Sequence, residues 1–449
     1  MTRLSPRPQG EPVPESISER ETPAIVAPQR LGKGLLRTFT ALRHRNFRLY
    51  WFGQMVSLMG TSMQTVGQAW LVLELTHSPL QLGLVGALQF LPVLLFSLFG
   101  GVFADRWPKR RVLLVTQSAA MSQALLLWIL VATGAVQLWH IYGLAMLLGL
   151  TTSLDQPARS AFVVELVGRE DLPNAVALNS SLVNLARVVG PGLGGVLIAA
   201  SGVAVLFLLN ALSFLAAIGG LALLRNRGIH AQAVQRRNAG ERQNTWQSLG
   251  EGITYVWETP AVLLLILVVG LVLLFGANFN VVLPLFATDV LHAGARGYGF
   301  LSAALGIGAL SSALWLAWGN RRPTIRSVLA GTLLFGVLDA LFAVSHLYPL
   351  SLVLIASVGA AEGVFGALAV TMLQTITPDH LRGRVNSVYI LSFTGSIPPG
   401  YLLAGWLSGL YGASIGLLIC AALILLVVGA GWVWRKPAEE SVAARRAGK

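Results

Sequence analysis

Ionisable side chains interrupt long apolar runs at only a few places in this 449-residue chain, and these are the residues best placed to do chemistry. Arg187 lies about eleven residues into one run and Glu362 about thirteen residues past Pro349 in another, depths of roughly 17 and 20 Å at ~1.5 Å per helical residue. Both are near the middle of a bilayer, where an ionisable group is a functional candidate by default. A carboxylate there can take up and release a proton. A guanidinium can hold an anion or stabilise the ionised acid. Asp155 and Arg159, one turn apart near the inner end of a third run, read as a gating pair, with Asp155 the reserve candidate for proton coupling. The competing reading for each of these residues is a satisfied structural ion pair.

The first run carries a polar stripe. Gln54, Ser57, Thr61, Gln64 and Gln68 are spaced three and four apart, which puts all five on one helix face. Such a stripe must face other helices or water. Hydrogen-bond glue explains Ser57 and Thr61, whereas three Gln in one stripe favour a wet cavity. Gln54, Thr61, Gln64 and Gln68 are therefore expected substrate contacts; Arg187, at mid-depth in the fifth run, and Asn278, in the seventh, are the other candidates.

Other chemistries are excluded. The seven His stand at 44, 77, 140, 230, 292, 346 and 380, in loops, tails or run ends, and no two share a run, so no metal site is expected. No G-x-x-x-x-G-K-[ST] occurs, which removes the ATP-driven reading. No cofactor is implied. Cys420 is the only cysteine, so no intramolecular disulfide can form. The net charge of +13 does not indicate a nucleic-acid partner, because the basic residues punctuate the apolar runs and form no single stripe.

The elements that must position these residues follow from composition. Hydrophobic residues make up 55% and charged residues 11%, against about 25% charged in soluble proteins. Continuous rather than alternating apolar runs mean helices, not a barrel. They fall at 47–73, 80–104, 111–132, 138–158, 173–200, 204–224, 261–288, 297–318, 325–345, 349–376, 384–408 and 413–434. Alternate loops hold Arg106/Lys109/Arg110/Arg111, Arg169, Arg225 to Arg242, Arg321/Arg322/Arg326 and Arg382/Arg384; Arg296 is the one basic residue in the other set. By the positive-inside rule this implies twelve spans with both termini cytoplasmic. The expected organisation is a disordered cytoplasmic tail over 1–45, a six-helix bundle over 46–225 and a linker over 226–260. A second six-helix bundle over 261–435 and a cytoplasmic tail over 436–449 follow. Trp246, Leu249, Ile253, Val256 and Trp257 in the linker have the spacing of an amphipathic helix on the inner membrane surface. The halves are weakly repeated. Glu170-Asp171-Leu172 precedes the fifth run and Asp379-His380-Leu381 the eleventh, each followed by a Pro/Gly stretch.

Three motifs narrow the class. Gly101-Val-Phe-Ala-Asp105-Arg106-Trp-Pro-Lys109-Arg110-Arg111 sets one acid among four cations at the membrane edge, a latch that can close in one state and open in another. It resembles the signature loop of the major facilitator superfamily, with Pro108 where that family usually has Gly. Gly190-Pro191-Gly192-Leu-Gly194-Gly195 in the fifth run resembles that superfamily's antiporter motif, which is associated with exporters. Asp155-Gln-Pro157-Ala-Arg159, Asn174-Ala175, Asn179-Ser180, Gly67-Gln68-Ala69-Trp70-Leu71 and Leu91-Pro92 are similar to the bacterial drug and siderophore exporter branch.

The resemblance covers about residues 40–435. It implies an all-α integral membrane fold of twelve transmembrane helices in two pseudo-repeated bundles, rocking around a cavity lined by spans 1, 4, 7 and 10. It also implies a secondary exporter of the cytoplasmic (inner) membrane that exchanges a small organic molecule for an ion, with the proton as the expected ion. Asp339 is discounted, because the ninth span is peripheral in that family. The rival is a non-transporting membrane sensor or scaffold with the same fold. The mid-membrane charges count against it.

Overall fold

Within lipid a backbone has no water to bond, so each apolar run closes its hydrogen bonds internally as a helix. The computed structural model describes residues 40–168, 170–225, 245–318 and 323–447, with side chains described outside 97–106, 245–249, 317–318 and 443–447. The first half holds α1 (Arg45–Thr76), α2 (Pro79–Arg106), α3 (Lys109–Ala132), α4 (Leu138–Val167), α5 (Leu172–Ser201) and α6 (Ala204–Ala222). After α7 (Thr245–Glu258), the second half holds α8 (Pro260–Gly276), α9 (Phe279–Leu285) with a π-helical turn at Phe286–Val290, and α10 (Gly294–Trp318). It continues with α11 (Ile325–Ala343), α12 (Tyr348–Ile376), α13 (Arg382–Tyr411) and α14 (Ala413–Val433), and ends in α15 (Arg435–Ala447).

Among the described residues, nine helices are long and apolar enough to cross a membrane, α8, α9 and the π turn counting as one. The other three long helices, α1, α4 and α13, have 32, 30 and 30 residues and carry more of the polar side chains. The packing repeats between halves. In the first, α1 lies on α5 and α6, α2 on α4, and α3 on α4 and α6. In the second, α8 lies on α13 and α14, α10 on α12, and α11 on α12 and α14. The same partners recur at the same places in the order of helices, which is the pseudo-repeat in physical form. The halves meet along two equivalent seams, α2 against α13 and α5 against α10.

One end of the assembly carries the basic residues Lys109, Arg110, Arg225, Arg326, Arg382 and Arg384, and is called here the basic face. Three elements differ from expectation there. Helix α4 does not stop at 158 but runs nine residues further, because Phe162, Val163, Leu166 and Val167 are buried in a cluster with Phe47, Tyr50 and Leu113. Asp155 and Arg159 are therefore interior to the helix and not at its end. Residues 436–447 are not a free tail. They continue helix α15, docked on α8 with Ala438 buried and Glu439 bonded to Arg326 at 2.8 Å. Residues 40–45 are likewise docked. Thr40–Arg43 form a 3-10 turn, and the Ala41 amide donates to Asn174 Oδ1 at 3.0 Å. The expectation for 1–39 lies outside the described residues. The linker helix forms as α7, seated on α13 and α8 with Glu251 paired to Arg384, while Trp257 stays exposed.

The seventh run is not one helix. It breaks at Ala277-Asn278, where Asn278 Nδ2 caps the Leu274 and Phe275 carbonyls at 3.0 and 3.1 Å, and then continues as α9 and the π turn. Broken helices and π turns mark places where backbone is put to use.

Candidate functional site

The glycine-rich motif of α5 explains how the halves meet. Gly190 and Gly194 face α1 at Met59 and Met63, while Pro191 and Gly195, one residue further round, face α10. A Cβ at Gly195 would lie 2.7 Å from Ala295 O and 2.7 Å from Gly299 Cα, and one at Gly299 would lie 2.6 Å from Pro191 O. Only hydrogen fits there, so α5 touches two neighbours at backbone distance. Helix α5 runs unbroken through Pro191. The second seam is built alike. A Cβ at Gly405 of α13 would meet Pro79 O of α2 at 2.6 Å. Trp70 of α1 stacks on Tyr298 of α10 with ring centroids 6.3 Å apart. All these contacts lie toward the face opposite the basic one. Helices α4 and α12 make no substantial contact across the middle. This conformation is sealed at the non-basic face.

Beneath the seal, between the halves, lies a cavity of about 210 Å³ lined by Thr65, Gln68 and Ala69 of α1, Gln89 and Phe90 of α2, Asn280 of α9 and Tyr401 of α13, among others. Gln68 Nε2 donates to Gln89 Oε1 at 3.3 Å, and Asn280 Nδ2 donates to Tyr401 Oη at 2.8 Å. The Phe90 ring meets the Tyr401 ring edge-on at 5.8 Å. The walls thus offer amide and hydroxyl groups and aromatic faces. A space this size is below the 300–1,000 Å³ typical of drug-sized sites.

The other stripe residues go elsewhere, which corrects the expectation of a wet stripe. Gln54 is wholly buried inside the first bundle, where its Oε1 accepts from Arg159. Gln64 donates to Gln123 at 3.0 Å and accepts from Asn210 at 2.7 Å. Thr61 donates back to the Ser57 carbonyl of its own helix at 2.9 Å. Their face looks toward α3, α4 and α6, and buried amides are stable only when bonded, so they became interhelical links. Asn278 likewise serves the helix break, and Asn280, two residues on, takes the cavity position.

Asp155 anchors a buried network. It pairs with Arg159 and accepts from Thr116 Oγ1 at 2.7 Å and Gln117 Nε2 at 2.9 Å. The Tyr50 hydroxyl, buried beside this pair, has no partner. Across the seam, the charges of Arg187 on α5 and Glu362 on α12 act on each other and on Tyr401. The Arg187 side chain is exposed, and its backbone carbonyl lies against Gly306 of α10. Among the described residues neither charge closes an ion pair within 4.0 Å.

At the basic face, Arg110 caps α6 by donating from Nε to Leu221 O and from Nη2 to Ala222 O, both at 2.9 Å. Lys109 stands 3.9 Å from Glu165 at the extended end of α4. Helices α2 and α3 are joined through Trp107-Pro108 alone, so Pro108 serves the tight turn. The side chains of Asp105 and Arg106, and the surroundings of Gly101, lie outside the described residues. Sequence reasoning missed Glu165, Thr116, Gln117, Gln89, Asn280 and Tyr401. Gln89, Gln117 and Asn280, amides within apolar runs, carried a signal that could have found them.

Two six-helix bundles related by a repeat, meeting at two glycine seams around a central cavity, define a secondary-transporter fold. The chain belongs to the transmembrane secretion effector family of the major facilitator superfamily, whose sequence pattern matches residues 36–447. It is 29% identical over 385 residues to the multidrug efflux pump Tap of Mycolicibacterium fortuitum, covering 84% of this chain and 92% of that protein. It is also 29% identical over 409 residues to the enterobactin exporter EntS of Escherichia coli O1:K1 / APEC, covering 89% and 94%. Among solved structures, a bacterial homologue of the human lysosomal transporter Spinster has the same fold, with a TM-score of 0.70 at 11% identity over 89% of this chain and 98% of that one. The nucleoside transporter NupG follows at 0.68 and 13%, over 87% and 99%. The protein is a multi-pass membrane transporter and not an enzyme.

Proposed function

We propose that this protein is a secondary active exporter that moves a small organic molecule outward across the cytoplasmic membrane in exchange for a proton, by alternating access. The observation that carries this reading is the pair Arg187 of the first bundle and Glu362 of the second, within electrostatic reach of each other and of the cavity residue Tyr401, with no ion pair within 4.0 Å among the described residues. When the bundles move, the two either approach, which favours ionised Glu362, or separate, which favours its protonation. With the basic face cytoplasmic, the present conformation is open inward, and both termini lie in the cytoplasm.

Drugs and siderophores are the first candidate substrates, a reading supported by the similarity to a multidrug efflux pump and an enterobactin exporter. Gln68, Gln89, Asn280 and Tyr401 would bond the substrate's polar groups, and Arg187 would favour an anionic one. The partners of the cycle are then the substrate, the proton and the lipid bilayer. Glu362→Gln tests this, because the amide mimics the protonated acid. In vesicles with an imposed pH gradient it should retain substrate binding and lose gradient-driven transport. Unchanged transport would remove Glu362 as the proton carrier and leave Asp155 as the next candidate.

A further inference from the structure

Asp339 belongs to none of the arrangements above. It sits on α11 between Phe335 and Phe342, on the face that also buries Thr332, Gly336 and Ala343. That face packs on α12 and α14, so the side chain is enclosed in the second bundle and not turned to lipid. The ninth span itself is peripheral, with Leu333, Leu334, Val337 and Leu341 exposed, and Asp339 lies on its inner face. The exposure of Asp339 is 0%, and among the described residues neither carboxyl oxygen has a hydrogen-bond partner.

Few groups face it. Glu362 of α12 acts on it electrostatically, and it acts in turn on Cys420 of α14. Helices α8, α12 and α14 carry no Lys or Arg. Asp289 of the π turn is exposed and bonded to Thr288, and Glu439 of α15 is held by Arg326 at the basic face.

Its depth is set by the register of α11 on α12, where Gly331 lies against Phe365. From that level Asp339 is two turns toward the non-basic face, and Glu362 less than one. At ~1.5 Å per residue Asp339 is roughly 7 Å nearer the non-basic face. An ionised carboxylate enclosed without a hydrogen-bond donor is strongly opposed, whereas a protonated one is not. Two acids within electrostatic reach also resist being ionised together.

We infer that Asp339 is a second proton-binding site of the C-terminal bundle, set on the non-basic side of Glu362 and exchanging its proton with that residue during transport. The step breaks the O–H bond of Asp339 and forms one on the Glu362 carboxylate, with water admitted by the bundle movement carrying the proton between them. The charge moves from one acid to the other, and nothing is oxidised or reduced. This rests on the reading of Glu362 as proton carrier.

The test is infrared spectroscopy of the full-length protein in lipid vesicles, joined to transport under a pH gradient. Wild type should show at neutral pH the carbonyl band of a neutral carboxylic acid free of hydrogen bonds, and Asp339→Asn should lack it. Asp339→Asn should keep substrate binding and lower gradient-driven transport at least tenfold. In Glu362→Gln the band should remain, and the pH at which it is lost should change. Absence of the band from wild type, or its persistence in Asp339→Asn, overturns the inference. Wild-type transport by Asp339→Asn overturns it as well. Should Asp339→Asn fail to reach the membrane, the comparison of wild type with Glu362→Gln decides, and an unmoved band then counts against it. Full transport by Glu362→Gln beside a band lost in Asp339→Asn would refute the Glu362 carrier and the exchange between the two acids.

Discussion

Gly195→Ala should open the seal at the non-basic face. The added Cβ would stand 2.7 Å from Ala295 O and from Gly299 Cα, both backbone atoms that no rotamer change can move. Carbon atoms in contact settle at about 3.5–4.0 Å, so α5 and α10 must part by about 1 Å. Overpacking of this kind costs about 1–3 kcal/mol. Charged only to the sealed conformation, it shifts the balance roughly 5- to 150-fold. A non-basic-open population of about 1% would rise to about 5–60%. The readout is the rate at which Thr65→Cys, on the cavity wall, is modified by a membrane-impermeant thiol reagent added from the non-basic side. The background is low, because the one native cysteine, Cys420, is buried. Gly192→Ala is the internal control. Its Cβ would meet the Ala303 methyl at 3.5 Å, an ordinary contact, so its rate should stay at the parent value. Equal rates for the two variants would refute the claim that backbone contact at Gly195 holds the seal.

Arg159→Met should cost about 3–5 kcal/mol, because it removes the cation from a buried pair and leaves Asp155 with only Thr116 and Gln117. Adding Asp155→Leu should recover much of that loss in thermal unfolding in detergent, and a double variant as unstable as the single one would contradict it. Arg326 hydrogen-bonds Glu439 and holds its carboxyl below the usual glutamate value of 4.5. A depressed folded value means that this stabilisation is present above 4.5 and fades as pH falls through the lowered value. Hydrogen exchange along α15 should therefore stay slow at neutral pH and quicken in acid, and in Glu439→Gln that dependence should disappear. Asp105→Asn should lower export at equal expression, since the latch needs a carboxylate and the fold does not; wild-type export would reduce the loop to a topological signal.

Much of this protein was written in the sequence because lipid constrains it so tightly. Long apolar runs admit only helices, and alternating arginines order them. The small-residue motif Gly190 to Gly195 shows where backbones can touch, and the family followed from such local strings. Which way a polar side chain points is another matter. Gln54, Gln64 and Gln68 share one helix face and the same spacing, yet of the three only Gln68 lines the cavity, because Gln54 and Gln64 are bonded inside the first bundle to Arg159, Gln123 and Asn210. Asn278 and Asn280 differ by two residues, and the helix break between α8 and α9 gave the cavity to the second. The length of α4 was hidden because polar residues interrupt its apolar pattern, while Lys109 and Tyr50, far away in sequence, stabilise its last turns. Asp339 shows the limit most plainly. Its rarity is visible in sequence, but its enclosure depends on how α11, α12 and α14 close around it, a long-range packing that no local string encodes.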